Sequence, residues 1–135
     1  MNDTPTIVRR ADDAYQGLRA LNHLTAHGAI PAPVLYDVLG TLKRLGPALG
    51  QLLVQLGDAL EQSLGEYEVY QDDGADPVAS VASCRDALTG AAGHAAHLGR
   101  HLESAQQALT RQGYRTQRQT PPGADPAGRR PTDPW

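Results

Sequence analysis

Apolar residues recur with a period of seven along two long stretches of the chain. One ladder runs Leu35, Leu42, Leu49, Leu56, flanked by Val38, Leu45, Leu52, Ala59 and by Leu39, Leu53, Leu60. The other runs Val81, Leu88, Ala95, Leu102, Leu109, flanked by Cys84, Ala91, Leu98, Ala105. Apolar residues at a and d positions over four or five heptads place a continuous stripe on each helix. Two such stripes joined by a short polar turn predict an antiparallel helical hairpin.

The boundaries follow from caps and breakers. Thr4-Pro5 predicts the start of a first helix, with a capping hydroxyl followed by proline at the first helical position. That helix should run to His27 and stop at Gly28. Its apolar side is Val8, Ala11, Tyr15, Leu18, Leu21 and Leu24, and its other side carries Arg9, Asp12, Asp13, Gln16 and Arg19. Pro33 opens a second helix that continues to about Tyr70. Pro47 falls inside it, where the ring clashes with the Lys43 carbonyl and removes one ladder hydrogen bond. The heptad phase is kept across residues 42, 45, 49 and 52, which predicts a kink in one helix rather than a loop between two. Gln71 to Ala75 is a turn. Asp76-Pro77 repeats the cap-plus-proline signature, and a third helix should run to Gln112, ending at Gly113.

The predicted fold is therefore all-α: a three-helix antiparallel bundle over residues 1–113, made of a long hairpin with a shorter N-terminal helix against part of its groove. Residues 114–135 read YRTQRQTPPGADPAGRRPTDPW. Five prolines, two glycines and almost no apolar side chains predict a disordered tail.

Composition supports helices. The chain has 135 residues, no Phe and only 4% aromatics, so a core must be built from Leu, Ala, Val and a few Tyr. Cys84 is the single cysteine and excludes an intrachain disulfide; its d position predicts a buried thiol acting as a small hydrophobe. The N-terminus lacks the apolar core of a signal peptide, and the longest uncharged stretch, Leu45 to Gly57, is too short to span a bilayer. A soluble cytoplasmic protein without membrane partners is expected. Charge divides unevenly. From Arg111 onward five arginines against two aspartates leave +3, while residues 1–110 carry seven basic and thirteen acidic groups, leaving −6.

Four groups of residues could carry chemistry. His23 and His27 stand at i, i+4, and His94, His97 and His101 at i, i+3, i+7, spacings that put each set on one helix face as a metal site requires. On a helical wheel, however, the core stripe of the third helix centres roughly 75° from His94 and roughly 135° from His97. No carboxylate completes a site on that face, so surface or partner-contact histidines are expected, with a His-rich metal-binding bundle or a pH-responsive contact as alternatives. Six acids, Glu61, Glu66, Glu68, Asp72, Asp73 and Asp76, follow one another without an intervening base. They lack the spacing of a calcium loop and read as a solvated, capped turn, or as a patch for a basic partner. Arg111, Arg115, Arg118, Arg129 and Arg130, with Tyr114 and Trp135, could lie on nucleic acid, although the acidic body would repel it. Gly40, Gly46, Gly50, Gly57 and Gly65 each cost about 1 kcal/mol against Ala within one helix. Ala92, Ala96 and Gly99 make a second smooth strip. The glycines point to close backbone approach or to deliberate flexibility, and both strips could admit the first helix or a second copy.

The runs Ala20-Leu21-Asn22-His23, Tyr36-Asp37-Val38-Leu39-Gly40-Thr41-Leu42-Lys43 and Asp72-Asp73-Gly74-Ala75-Asp76-Pro77 resemble a set of small all-helical hypothetical proteins of high-GC actinobacteria, over residues 10–112. The resemblance implies a lineage, and no catalytic residues or cofactor. With no nucleophile motif, phosphate loop or paired buried carboxylate visible, the expectation is a non-enzymatic oligomerisation or adaptor module. Its predicted interface is Leu35, Leu39, Leu42, Leu49, Leu53, Leu56 and Leu60, facing a homodimer mate or another protein. A DNA-associated accessory factor acting through the basic tail is the alternative.

Overall fold

A computed structural model describes residues 4–113, 115 and 116. The expected tail, 114–135, falls almost wholly outside the described residues. The described chain is all-helical: α1 is Thr6–Thr25, α2 is Ala32–Glu66 and α3 is Pro77–Ala108. At 1.5 Å per residue, α2 and α3 are about 52 and 48 Å long and α1 about 30 Å.

The caps divide into one that forms as expected and two that do not. At α3, Asp76 Oδ1 accepts a hydrogen bond from the Val78 backbone N–H at 3.0 Å, with Pro77 in the first turn. Before it, Asp73 Oδ1 accepts from the Ala75 N–H at 2.9 Å, and the Gly74 N–H bonds the Gln71 carbonyl. Gly74 has φ +77°, a conformation open to glycine at little cost. Asp73 and Asp76 thus serve the backbone of this turn. α1, by contrast, begins after Pro5 with no side-chain cap, so Thr4 does not play the expected part. It ends at Thr25, two residues before His27, and Gly28 (φ +95°) shapes the connector instead. α2 begins one residue before Pro33 and ends at Glu66, short of Tyr70, because Tyr67 turns to an extended conformation. α2 runs through Pro47 without a break.

α2 and α3 pack against each other along their lengths. Gly40 lies by Gln106, Gly46 by Gly99 and Ala95, Gly50 by Ala92, and Gly57 by Arg85 and Leu88, the α3 numbers falling as the α2 numbers rise. The closest approach is at Gly46, where a Cβ would stand 2.6 Å from Gly99 Cα and 2.8 Å from the Ala95 carbonyl oxygen. A Cβ on Gly99 would lie 3.3 Å from both the Lys43 carbonyl oxygen and Pro47 Cδ. Four glycines of α2 therefore serve close approach, as their clustering predicts, and the helix they admit is α3. Gly65 has open space around it.

This contact sets a different phase for the seam than the leucine ladders predict. On α3 and its C-cap the buried and half-buried residues are Pro77, Val81, Arg85, Leu88, Ala92, Ala95, Gly99, Leu102, Gln106 and Leu109. The first ladder is thus in the seam, but its partner row is residues 85, 92, 99 and 106. The flanking row Cys84, Ala91, Leu98, Ala105 is exposed. Cys84 is accordingly a free, exposed thiol, and the expectation of a buried one is corrected. The physical reason is size: backbones meet where side chains are smallest, so the glycines claim the centre and turn the d positions outward.

α1 also departs from expectation. Among the described residues it contacts neither α2 nor α3, and none of its residues is buried.

The glycine seam yields a paired prediction. Gly46→Ala should lower stability by about 1–3 kcal/mol through forced separation of the helices, despite its better helix propensity. Gly65→Ala should raise it by about 0.5–1 kcal/mol, because nothing opposes the added methyl. Thermal melts followed by circular dichroism read both, and equal shifts would refute the account.

Candidate docking face

Two contacts fix the seam at its ends and so decide which surface is left over. Near one end, Arg85 reaches across from α3. Its Nη2 donates to Asp58 Oδ1 at 2.6 Å and its Nη1 to Glu61 Oε2. The arginine stem lies over Gly57, where an added Cβ would meet Arg85 Cγ at 3.1 Å. One acid of the 61–76 run is therefore spent on an ion pair with α3. At the other end, Gln106 is buried, and its Nε2 donates to the Tyr36 carbonyl at 3.1 Å. The amide sits over Gly40, where a Cβ would come within 2.7 Å of it. Sequence reasoning missed Gln106; its place in the row 85, 92, 99, 106 was the available signal.

Between these anchors the leucines divide. Leu39 is buried in the seam, and Leu35, Leu42, Leu53, Leu56 and Leu60 are half-buried. Of the seven residues expected to form a partner interface, only Leu49 is exposed. It is joined by two neighbours outside that set, Leu45 and Leu52, and the three, Leu45, Leu49 and Leu52, keep 45%, 40% and 45% of their surface. On a wheel these three precede the α2 seam by roughly a quarter turn. On α3, Leu98 keeps 48%, and it precedes its own seam by a similar angle together with Cys84 and Ala91. Isolated exposed leucines are ordinary, but a helical row of them is the mark of a contact surface.

The opposite edge is polar. An open shallow groove there is lined by Lys43, Pro47, Ala96, Gly99, Arg100 and Glu103. It has no depth to enclose a ligand, and no buried side-chain polar atom lacks a partner among the described residues.

The histidines are all exposed. His97 Nδ1 accepts from Arg100 Nη2 at 2.7 Å, which directs that ring along its own helix. His94 and His101 lie on the wheel just outside Leu98. His23 stands near the end of α1, and His27 in the connector. No three His, Cys, Asp or Glu side chains come together as a metal site would require, among the described residues. Of the basic groups considered for nucleic acid, Arg111 and Arg115 are exposed; Tyr114, Arg118, Arg129, Arg130 and Trp135 lie outside the described residues. No helix among the described residues is long and apolar enough to cross a membrane.

α1 carries a second uncovered surface. Ile7, Ala11, Ala14, Leu18 and Leu21 recur at alternating spacings of four and three, with Val8 and Tyr15 beside them; Leu21 is half-buried and the others are exposed. Leu18 is 50% exposed and Tyr15 62%.

No family model, no curated protein and no solved structure matches the chain.

The Arg85 cluster is a test of what holds the seam. Its ionic groups are roughly half-exposed, so Glu61→Gln should cost less than about 1 kcal/mol, falling further in 0.5 M salt. Arg85→Ala should cost more, and in a salt-independent part, because it also strips the stem from Gly57. Chemical denaturation of both variants at low and high salt measures the difference.

Proposed function

We propose that the chain is a non-enzymatic helical interaction module. In this reading α2 and α3 form an antiparallel hairpin, bent at Pro47 where the ring displaces the Lys43 carbonyl. One face of the hairpin receives an amphipathic helix, as an oligomerisation or adaptor surface in the cytoplasm. With the two long helices running in opposite directions, a quarter turn before the seam on α2 and a quarter turn before it on α3 fall on the same side. Leu45, Leu49 and Leu52 then share one face with Ala91 and Leu98, rimmed by His94 and His101.

The observation that carries the reading is that exposed leucine row. Fully covering an aliphatic side chain is worth roughly 1.5–3 kcal/mol, so three half-exposed leucines leave several kcal/mol of association energy unused. The polar groove on the other edge offers nothing comparable, and the tight glycine seam leaves no interior cavity for a substrate. A knobs-into-holes contact with one further helix would use the face fully.

The triple variant Leu45→Gln, Leu49→Gln, Leu52→Gln tests this. These residues lie outside the α2–α3 seam, so far-UV helicity should be retained and the melting temperature of the hairpin should change little. Binding of an apolar dye, or self-association seen by light scattering, should be lost. A wild-type protein that is strictly monomeric and binds no dye would refute the reading.

A further inference from the structure

Resting on that reading, we infer that the helix received by the docking face is α1 of a second copy of this chain, so that two copies exchange α1 reciprocally. Four observations meet here. First, α1 is a helix with nothing beneath it. A 20-residue helix containing Gly17, with no side-chain cap and no buried residue, is marginal in water on its own. Its stripe of Ile7, Ala11, Ala14, Leu18 and Leu21 is that of a helix meant to be covered.

Second, the two uncovered surfaces match. α1 is about 30 Å long, and Val34, which is 48% exposed and falls on the wheel beside Leu45 and Leu52, carries the exposed side of α2 to about 27 Å. Both present apolar side chains at heptad spacing.

Third, the connector works against return onto the same hairpin. Only residues 26–31 separate the helices, and they end in Ile30-Pro31, with Pro31 extended at ψ 151° and Pro33 following in the first turn of α2. A residue before proline is held extended, which stiffens the last steps of the connector. In the single chain α1 accordingly leaves the face uncovered. Short, stiff hinges favour exchange between copies over closure within one.

Fourth, the area suffices. Each α1 would cover roughly 500 Å² of its own surface and a similar area of the receiving face. Two such contacts give on the order of 2,000 Å², the size of a stable dimer interface. The arrangement has a two-fold axis and closes, since each copy has one helix to give and one face to fill.

The test uses full-length chains with Leu18→Asp in α1 or Leu49→Asp on the face. Both residues are exposed in the single chain, so neither change should unfold it. Sedimentation or light scattering over a concentration series should find a wild-type dimer. Each variant alone should dimerise about a hundredfold more weakly, because symmetry places the charge in both contacts. In a mixture of the two variants the heterodimer keeps one contact intact, the unaltered α1 of one chain on the unaltered face of the other, and carries both charges in the second, so wild-type affinity should not return. A dimer unaffected by Leu18→Asp would overturn the exchange and leave the docking face standing, occupied by another hairpin. A wild-type monomer that binds apolar dye, with binding lost on Leu49→Asp, would overturn the exchange and leave the face for a different protein. A monomer binding no dye would overturn both.

Discussion

Where Gly46 meets Gly99, α2 and α3 touch with no side chain between them, and that contact determines how the rest of each helix is oriented. A helix has only one direction that faces its neighbour. With glycine there, the leucines a residue or three away are rotated to the flanks. The same rotation brings Gly50 to Ala92 and Gly57 under the stem of Arg85. It seats Gln106 over Gly40 and turns Cys84 and Leu98 to the outside. An exposed apolar row is thus a direct consequence of the small-residue seam.

Such a seam gains dispersion from close contact but buries little area. Among the described residues the buried apolar side chains are small or few: Ala32, Leu39, Val81 and Ala95. Directional contacts at the two ends supply what the centre lacks in specificity. Gln106 can donate to the Tyr36 carbonyl only in one register, and Arg85 can reach Asp58 and Glu61 together only when Gly57 lies below it. A leucine-only seam could slide by a heptad; this one cannot without leaving a buried amide unpaired.

Much of the architecture was legible in the sequence. Heptad periodicity marks α2 and α3, Asp76-Pro77 marks the start of α3, and the glycine cluster marks close approach. The seam's phase was not legible, for a definite reason. A three-four spacing built on 81, 88, 95, 102 and 109 is completed equally well by 84, 91, 98, 105 or by 85, 92, 99, 106. Hydrophobicity favours the first row, which contains Cys84 and Leu98. Sterics favour the second, which contains Ala92 and Gly99, and sterics prevail because Gly46 requires an equally small neighbour. For the same reason Leu39 and Leu53, two of the residues expected at an interface, lie in the seam, while Leu45 and Leu52 stay exposed. α1 was legible as an amphipathic helix, but a stripe does not say what lies beneath it.

The ordering of contacts between α2 and α3 also describes how the pair can assemble. The turn at residues 71–76 is closed by its own backbone and by Asp73 and Asp76. The cross-helix side-chain hydrogen bonds nearest the turn join residues 24 and 27 apart in sequence, at Arg85, and the farthest joins residues 70 apart, at Gln106. Each contact formed outward from the turn brings the next pair within a helical step. The entropy of loop closure is therefore met once, at a short loop, and not again at each longer separation. Such a chain can zip from its turn to its open ends, placing it among topologies that fold quickly. The Gln106–Tyr36 bond would then be the last to close and the first to fray.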